Sequence, residues 1–125
     1  MTIAASAALS ATAQTGKISV HIHGIRNING TLRLGFYTSA EEFKNEKPAF
    51  IRAVEKSAMA NNTVSVEFAV PAGTWGIALL DDENKNTKMD FRFMIPKEGY
   101  GFSNYKHSGL TRPSFDKFSF PVTTT

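Results

Sequence analysis

The stretch Thr63-Val-Ser-Val-Glu-Phe-Ala-Val-Pro-Ala-Gly-Thr-Trp-Gly-Ile-Ala-Leu-Leu-Asp81 decides the fold. Val64, Val66, Phe68 and Val70 alternate with Ser65, Glu67 and Ala69, the period of a strand with one buried face. Pro71-Ala72-Gly73 then turns the chain. After it, Trp75, Ile77 and Leu79 alternate with Gly76, Ala78 and Leu80, so both faces of the next strand are apolar or small. Such a strand belongs in the middle of a sheet, covered on both sides.

Working upstream, the same period recurs. Ile18, Val20 and Ile22 point one way, and Ser19, His21 and His23 the other; Leu32, Leu34 and Phe36 repeat the pattern after Asn29-Gly30. Two alternating runs around an Asn-Gly pair predict a hairpin. Ser39 ahead of Glu41, Glu42 and Phe43 predicts a single capped helical turn. Residues 51–59 fit a strand or a helix, and Asn61-Asn62 marks a turn after them. Downstream, a last strand is expected over residues 115–122 with Phe118, Phe120 and Val122 inward. Pro121, which has no N–H to donate, puts that strand at an edge or a bulge. Short strands separated by frequent turns, without a long helix, predict an all-β fold: an antiparallel immunoglobulin-like or transthyretin-like β-sandwich of about seven strands. Long loops are expected in its C-terminal half.

At 125 residues the chain is one domain, expected over residues 17–123. With no Cys it has neither disulfides nor thiolate ligands. The formal charge of +3 is spread along the chain rather than gathered into a basic stripe, which argues against nucleic acid as a partner. No run approaches the length of about 20 apolar residues needed for a membrane-spanning helix, so a membrane-embedded protein is not expected. Residues 1–14 are almost wholly small and end in Ala11-Thr12-Ala13. That is the composition of a signal peptide cut after Ala13, or of a disordered Ala-rich leader, and it predicts a periplasmic or secreted protein.

Chemistry is expected in two loops. In the first, Asp82, Asn84, Asn86 and Asp90 fall at the first, third, fifth and ninth positions of a calcium loop, with the peptide oxygen of Lys88 at the seventh. Thr87 stands where such a loop has Gly, and Phe93 where it has its bidentate Glu. A self-satisfied Asx-rich turn is the competing reading. The second loop, residues 95–114, interleaves Tyr100, Phe102 and Tyr105 with Asn104, His107 and Arg112. Rings beside amide and cationic groups suit a sugar or aromatic ligand; the competing reading folds Tyr100 and Phe102 inward as a plug. His21 and His23 share one strand face at a spacing that can chelate zinc, with His107 as a candidate third ligand, yet nothing in the sequence places His107 nearby and no carboxylate partner is indicated. Ser103 and Ser108 lack the elbow motif of a nucleophile.

The run from Trp75 to Asp90, then Pro96-Lys-Glu-Gly-Tyr-Gly-Phe-Ser-Asn104, then Arg112-Pro-Ser-Phe115, resembles the bacterial family called Domain of Unknown Function 2141. The resemblance spans roughly residues 17–122. It implies an exported β-sandwich and brings no established reaction. The acidic loop of that family usually reads N-x-N-G, from which Thr87 departs. Residues and resemblance together lead to a non-catalytic exported module that binds a small molecule, glycan or protein, with calcium as the candidate stabiliser of its acidic loop. A small periplasmic hydrolase using His21, His23 or the acids, and a subunit of a surface assembly, are the alternatives.

Overall fold

The computed structural model describes residues 2–9, 15–25, 27–82, 100–105 and 113–123. Two antiparallel sheets face each other. The first has the order β1 (Thr2–Leu9), β2 (Thr15–His23), β5 (Val64–Pro71). The second has the order β4 (Phe50–Glu55), β3 (Thr31–Tyr37), β6 (Gly73–Asp82), β7 (Tyr100–Phe102), and β8 (Phe120–Val122) joins the same edge of β6 as β7. First, second and fifth strands against third, sixth and seventh is the immunoglobulin order, with β4 added to the second sheet as in variable-type domains. The antiparallel β-sandwich expected from alternation is the fold observed.

Between the sheets lies an aliphatic core. Ile18, Val20 and Ile22 of β2 and Val64 and Val70 of β5 meet Leu32, Leu34, Ile77 and Leu79 from the other sheet, all buried. Phe36 stacks on Phe50 at 4.4 Å and meets the edge of Phe68 at 5.0 Å. Trp75 buries its ring here while its indole N–H donates to the Pro71 carbonyl at 2.9 Å, which satisfies its one polar atom.

β6 is covered on its other face as well. There Ala78 and Gly76 lie beneath an aromatic cluster of Tyr37, Phe43, Phe102, Phe115 and Phe118. Phe43 comes from α1 (Ala40–Lys44), whose Ser39 cap accepts a hydrogen bond from the Glu42 N–H at 3.1 Å, as its sequence predicts. Phe115 and Phe118 come from α2 (Phe115–Phe118). Gly76 makes this covering possible: an added Cβ would stand 2.7 Å from Phe118 Cε2 and 2.8 Å from Phe115 Cε1.

Two local expectations are corrected, and one left open is decided. The Asn29-Gly30 hairpin does not form: β2 and β3 lie in different sheets. Both strands have one apolar face, and two such faces are buried by opposing them across a sandwich as readily as by setting them side by side. Contacts made by the crossing decide between the two. Ile25 is buried and its N–H donates to the Asn62 carbonyl, and Lys56 holds the Asn27 and Asn29 carbonyls. The second correction concerns residues 115–122, where a helical turn precedes a shorter strand, because Phe115 and Phe118 must reach the far face of β6 before Val122 enters the aliphatic core. Residues 51–59, open between strand and helix, resolve into β4 and a 3-10 turn over Lys56–Ala58.

Finally, much of the stretch read as a leader is a strand. β1 pairs with β2 from Thr2↔His23 to Leu9↔Gly16, and Ile3 enters the core.

Candidate functional site

The described part of the loop expected to hold rings and amides begins with β7, which lies on β6 with Phe102 opposite Ala78 and Tyr100 opposite Leu80. This pairing sends Phe102 inward. Its ring is completely buried, 5.1 Å from Phe118 and 5.9 Å from Phe43, and so belongs to the aromatic cluster rather than to a surface. Tyr100 and Tyr105 are half-buried at the rim of that cluster. The plug reading thus describes Phe102, and the ligand reading passes to its neighbours.

Ser103 is the pivot. Its hydroxyl donates to the Phe118 carbonyl at 2.7 Å and accepts from the Ile77 N–H at 3.0 Å, while its own N–H donates to the Ile77 carbonyl at 2.9 Å. One buried serine therefore ties β6, the end of β7 and the end of α2 together. A buried hydroxyl with each role filled is a positional restraint, and losing it strands two backbone groups in the interior.

On that anchored base the chain turns outward at Asn104, which has φ 51, a left-handed conformation that Asn tolerates better than most residues. Asn104 is exposed, and its side-chain amide is used in both directions. Oδ1 accepts from the Ala5 N–H at 2.9 Å, and Nδ2 donates to the Ala5 carbonyl at 2.9 Å. Its backbone N–H donates to the Ile3 carbonyl at 2.9 Å. Asn104 thus grips a peptide backbone by the groups that every residue has. His107 and Arg112, expected beside it, lie outside the described residues.

Of the acidic loop, only its first members are described. Asp82 is fully buried at the end of β6, opposite Thr31. Asn84, Asn86, Lys88 and Asp90 lie outside the described residues. Asp81, on the inward parity of β6, forms a buried ion pair with Lys56, Nζ to Oδ1 2.6 Å. The same ammonium donates to the carbonyls of Asn27 at 3.1 Å and Asn29 at 2.7 Å, so its three protons have three oxygen partners. Among the described residues no three His, Asp or Glu side chains gather as a metal site.

His21 and His23 lie on the exposed face of the first sheet. His21 Nδ1 is 2.8 Å from the Ser65 hydroxyl, His23 Nδ1 is 3.4 Å from that of Thr63, and Ser19 donates to Glu67 at 3.3 Å. Each bond joins cross-strand neighbours of β2 and β5 or the residue just before β5, the ordinary dressing of a sheet face. His21, Ser65 and Glu67 border a shallow depression there.

A bacterial family described as "Uncharacterized protein conserved in bacteria (DUF2141)" matches residues 20–125. The chain belongs to that family. No curated protein and no solved structure matches it. The DUF2141 region holds Ser103 and Asn104 and begins within β2, at Val20; the backbone that Asn104 grips, at Ile3 and Ala5, precedes it.

Sequence reasoning picked out Asn104 but gave Ser103 no structural role, and it missed the Lys56–Asp81 pair. A signal for the pair was present. Asp81 shares the parity of Trp75, Ile77 and Leu79, and an acid on the apolar parity of a strand requires a buried partner. Nothing local points to Lys56 as that partner.

Proposed function

We propose that this member of the DUF2141 family is a non-catalytic, exported binding module, with the sandwich as a rigid frame and the Tyr100–Tyr105 corner as its contact site. One observation carries the reading: an exposed amide, Asn104, engaged with backbone groups and set on a base immobilised by buried Ser103 and Phe102. Rigid placement of a few polar groups beside half-exposed rings is what recognition sites need, because little ordering entropy is left to lose on binding. The small-residue leader ending in Ala13 supports export.

A glycan, metabolite and peptide screen on the full chain tests this. The expected result is a saturable ligand whose affinity falls about tenfold or more in Tyr100→Ala or Tyr105→Ala, since a well-placed ring contributes on that scale. Turnover of a screened compound, lost in His21→Ala or Ser65→Ala, would overturn the reading in favour of a hydrolase.

The acidic loop is proposed as a calcium clasp for the end of β6. Millimolar calcium is then expected to raise the melting temperature, and Asp90→Asn to remove the rise. A melting curve indifferent to calcium assigns the loop to a self-bonded turn.

A further inference from the structure

β1 is held differently from the other strands. In an antiparallel pair, alternate residues turn their N–H and C=O groups toward the partner and away from it. The groups of Ile3 and Ala5 are taken by Asn104, so the intervening Ala4 is the residue that bonds to β2. The strand therefore lies in a slot with two polar walls, β2 on one side and Ser103–Asn104 on the other; Ile3 also forms a parallel bridge with Ser103. Recognition in the slot is of backbone on both sides. Among the residues of β1 whose burial is described, the side-chain part is one anchor, Ile3, at 3% exposure in the core, with Ala5 partly buried two residues on; Ala4 and Ser6 face solvent.

The attachment of this strand is what the leader reading would cut. Cleavage after Ala13 falls between Leu9, the last residue of β1, and Thr15, the first of β2, and so would release the occupant without altering either wall. The Ser103–Asn104 wall and the Val20–His23 part of the β2 wall lie in the family region, whereas Ile3, Ala5 and the first half of β2 stand outside it. An emptied slot would expose the unpaired groups of the β2 edge and the free amide of Asn104, a template for strand addition.

We propose that this slot is a strand-receptor site, filled by residues 2–9 in the uncut chain and, after cleavage, by an extended segment of a partner protein. That segment carries a β-branched anchor at the place of Ile3 and a small residue at the place of Ala5. The proposal rests on the binding-module reading and names its ligand class as an extended peptide.

The test uses the full chain with a specific protease sequence in place of residues 10–14, folded first and then cut. A fluorescent peptide of the sequence of residues 2–9 is the probe, followed by anisotropy. The expected result is one-to-one exchange into the cut protein and none into the uncut protein. A probe carrying Ile3→Asp is expected to bind about a hundredfold more weakly, because a carboxylate would replace the buried anchor. Asn104→Ala in the protein is expected to weaken the normal probe about tenfold, two hydrogen bonds being lost. The proposal is overturned if the cut protein refuses the probe or takes both probes alike. It is equally overturned if the cut protein unfolds when β1 leaves, which makes β1 a core strand, or if it pairs with its own copy instead. A refused probe with a positive glycan or metabolite screen removes the slot and leaves the module; captured probe with turnover at His21 does the reverse.

Discussion

The two faces of β6 are both buried, but by different means. Its inner face, Trp75, Ile77 and Leu79, meets partners from strands that alternate with the same period, aliphatic except for the rings of Phe36 and Phe50 beside Trp75. Its outer face, Gly76 and Ala78, is nearly bare and is covered by rings from α1, α2 and β7, which are far apart in the chain and share no period. Interleaved methyls are interchangeable in kind, and such cores tolerate conservative change. The rings pack edge to face, Phe43 on Phe118 at 4.9 Å and Phe115 on Phe118 at 5.5 Å, directly above a glycine. Tolerance at the inner face and intolerance at the outer one follow from that contrast.

The largest expected effect breaks the inner face at its polar end. Lys56→Met would leave Asp81 buried without its cation and release the Asn27 and Asn29 carbonyls, for a loss of about 3–5 kcal/mol in denaturant unfolding. Adding Asp81→Leu should recover most of it, since a buried pair replaced by apolar groups costs little. A single variant as stable as the parent would mean that the pair is not what pins the crossing.

Gly76→Ala sharpens the contrast on the outer face. Its Cβ has nowhere to go unless Phe115 and Phe118 move, and overpacking of this kind costs about 1–3 kcal/mol. Combining it with Phe118→Leu should cost less than the sum of the two single changes, a coupling that a double-mutant cycle measures. Strict additivity would show that the ring does not press on residue 76.

The smallest effect concerns acid. The Ser114 hydroxyl donates to Asp116 and holds its carboxyl below the ordinary value, helped by its own backbone bond and by Lys117. A carboxyl whose folded pKa is depressed adds stability above its unfolded pKa, and that contribution disappears as pH falls through the folded one. Below the usual carboxylate range, the gap in melting temperature between the parent and Ser114→Ala should therefore shrink. Because Asp116 is fully exposed, the gap at neutral pH is expected to be slight. A gap that widens on acidification would contradict this assignment.

Alternation made the strands legible, since parity is a property of adjacent residues: Val64 and Val70 are buried as expected, and Ile77 and Leu79 lie on one face of β6. The helical turn after Ser39 was equally legible, because its cap is made within four residues. Asn104 could be singled out by its type and by the glycines and rings around it, but its partner at Ala5 is 99 positions away. Phe102 and Tyr105 look alike in the sequence. They differ in burial because the pairing of β7 with β6 aims the first at the aromatic cluster and leaves the second at its rim.

By itself, then, the sequence determined that β2, β3, β5 and β6 are strands, which of their faces are apolar, and that two such sets of faces must meet. Tertiary structure alone decided which strands are neighbours. Asn29-Gly30 would serve a hairpin as well as a crossing, and it crosses because Lys56 and Asn62 hold Ile25, Asn27 and Asn29 from elsewhere in the chain. The same holds for β1, whose small residues carry little local preference until β2 and Asn104 supply partners for both edges of its backbone. Local steric preference acts over a few residues, whereas pairing is chosen by the whole set of buried groups that must be satisfied at once.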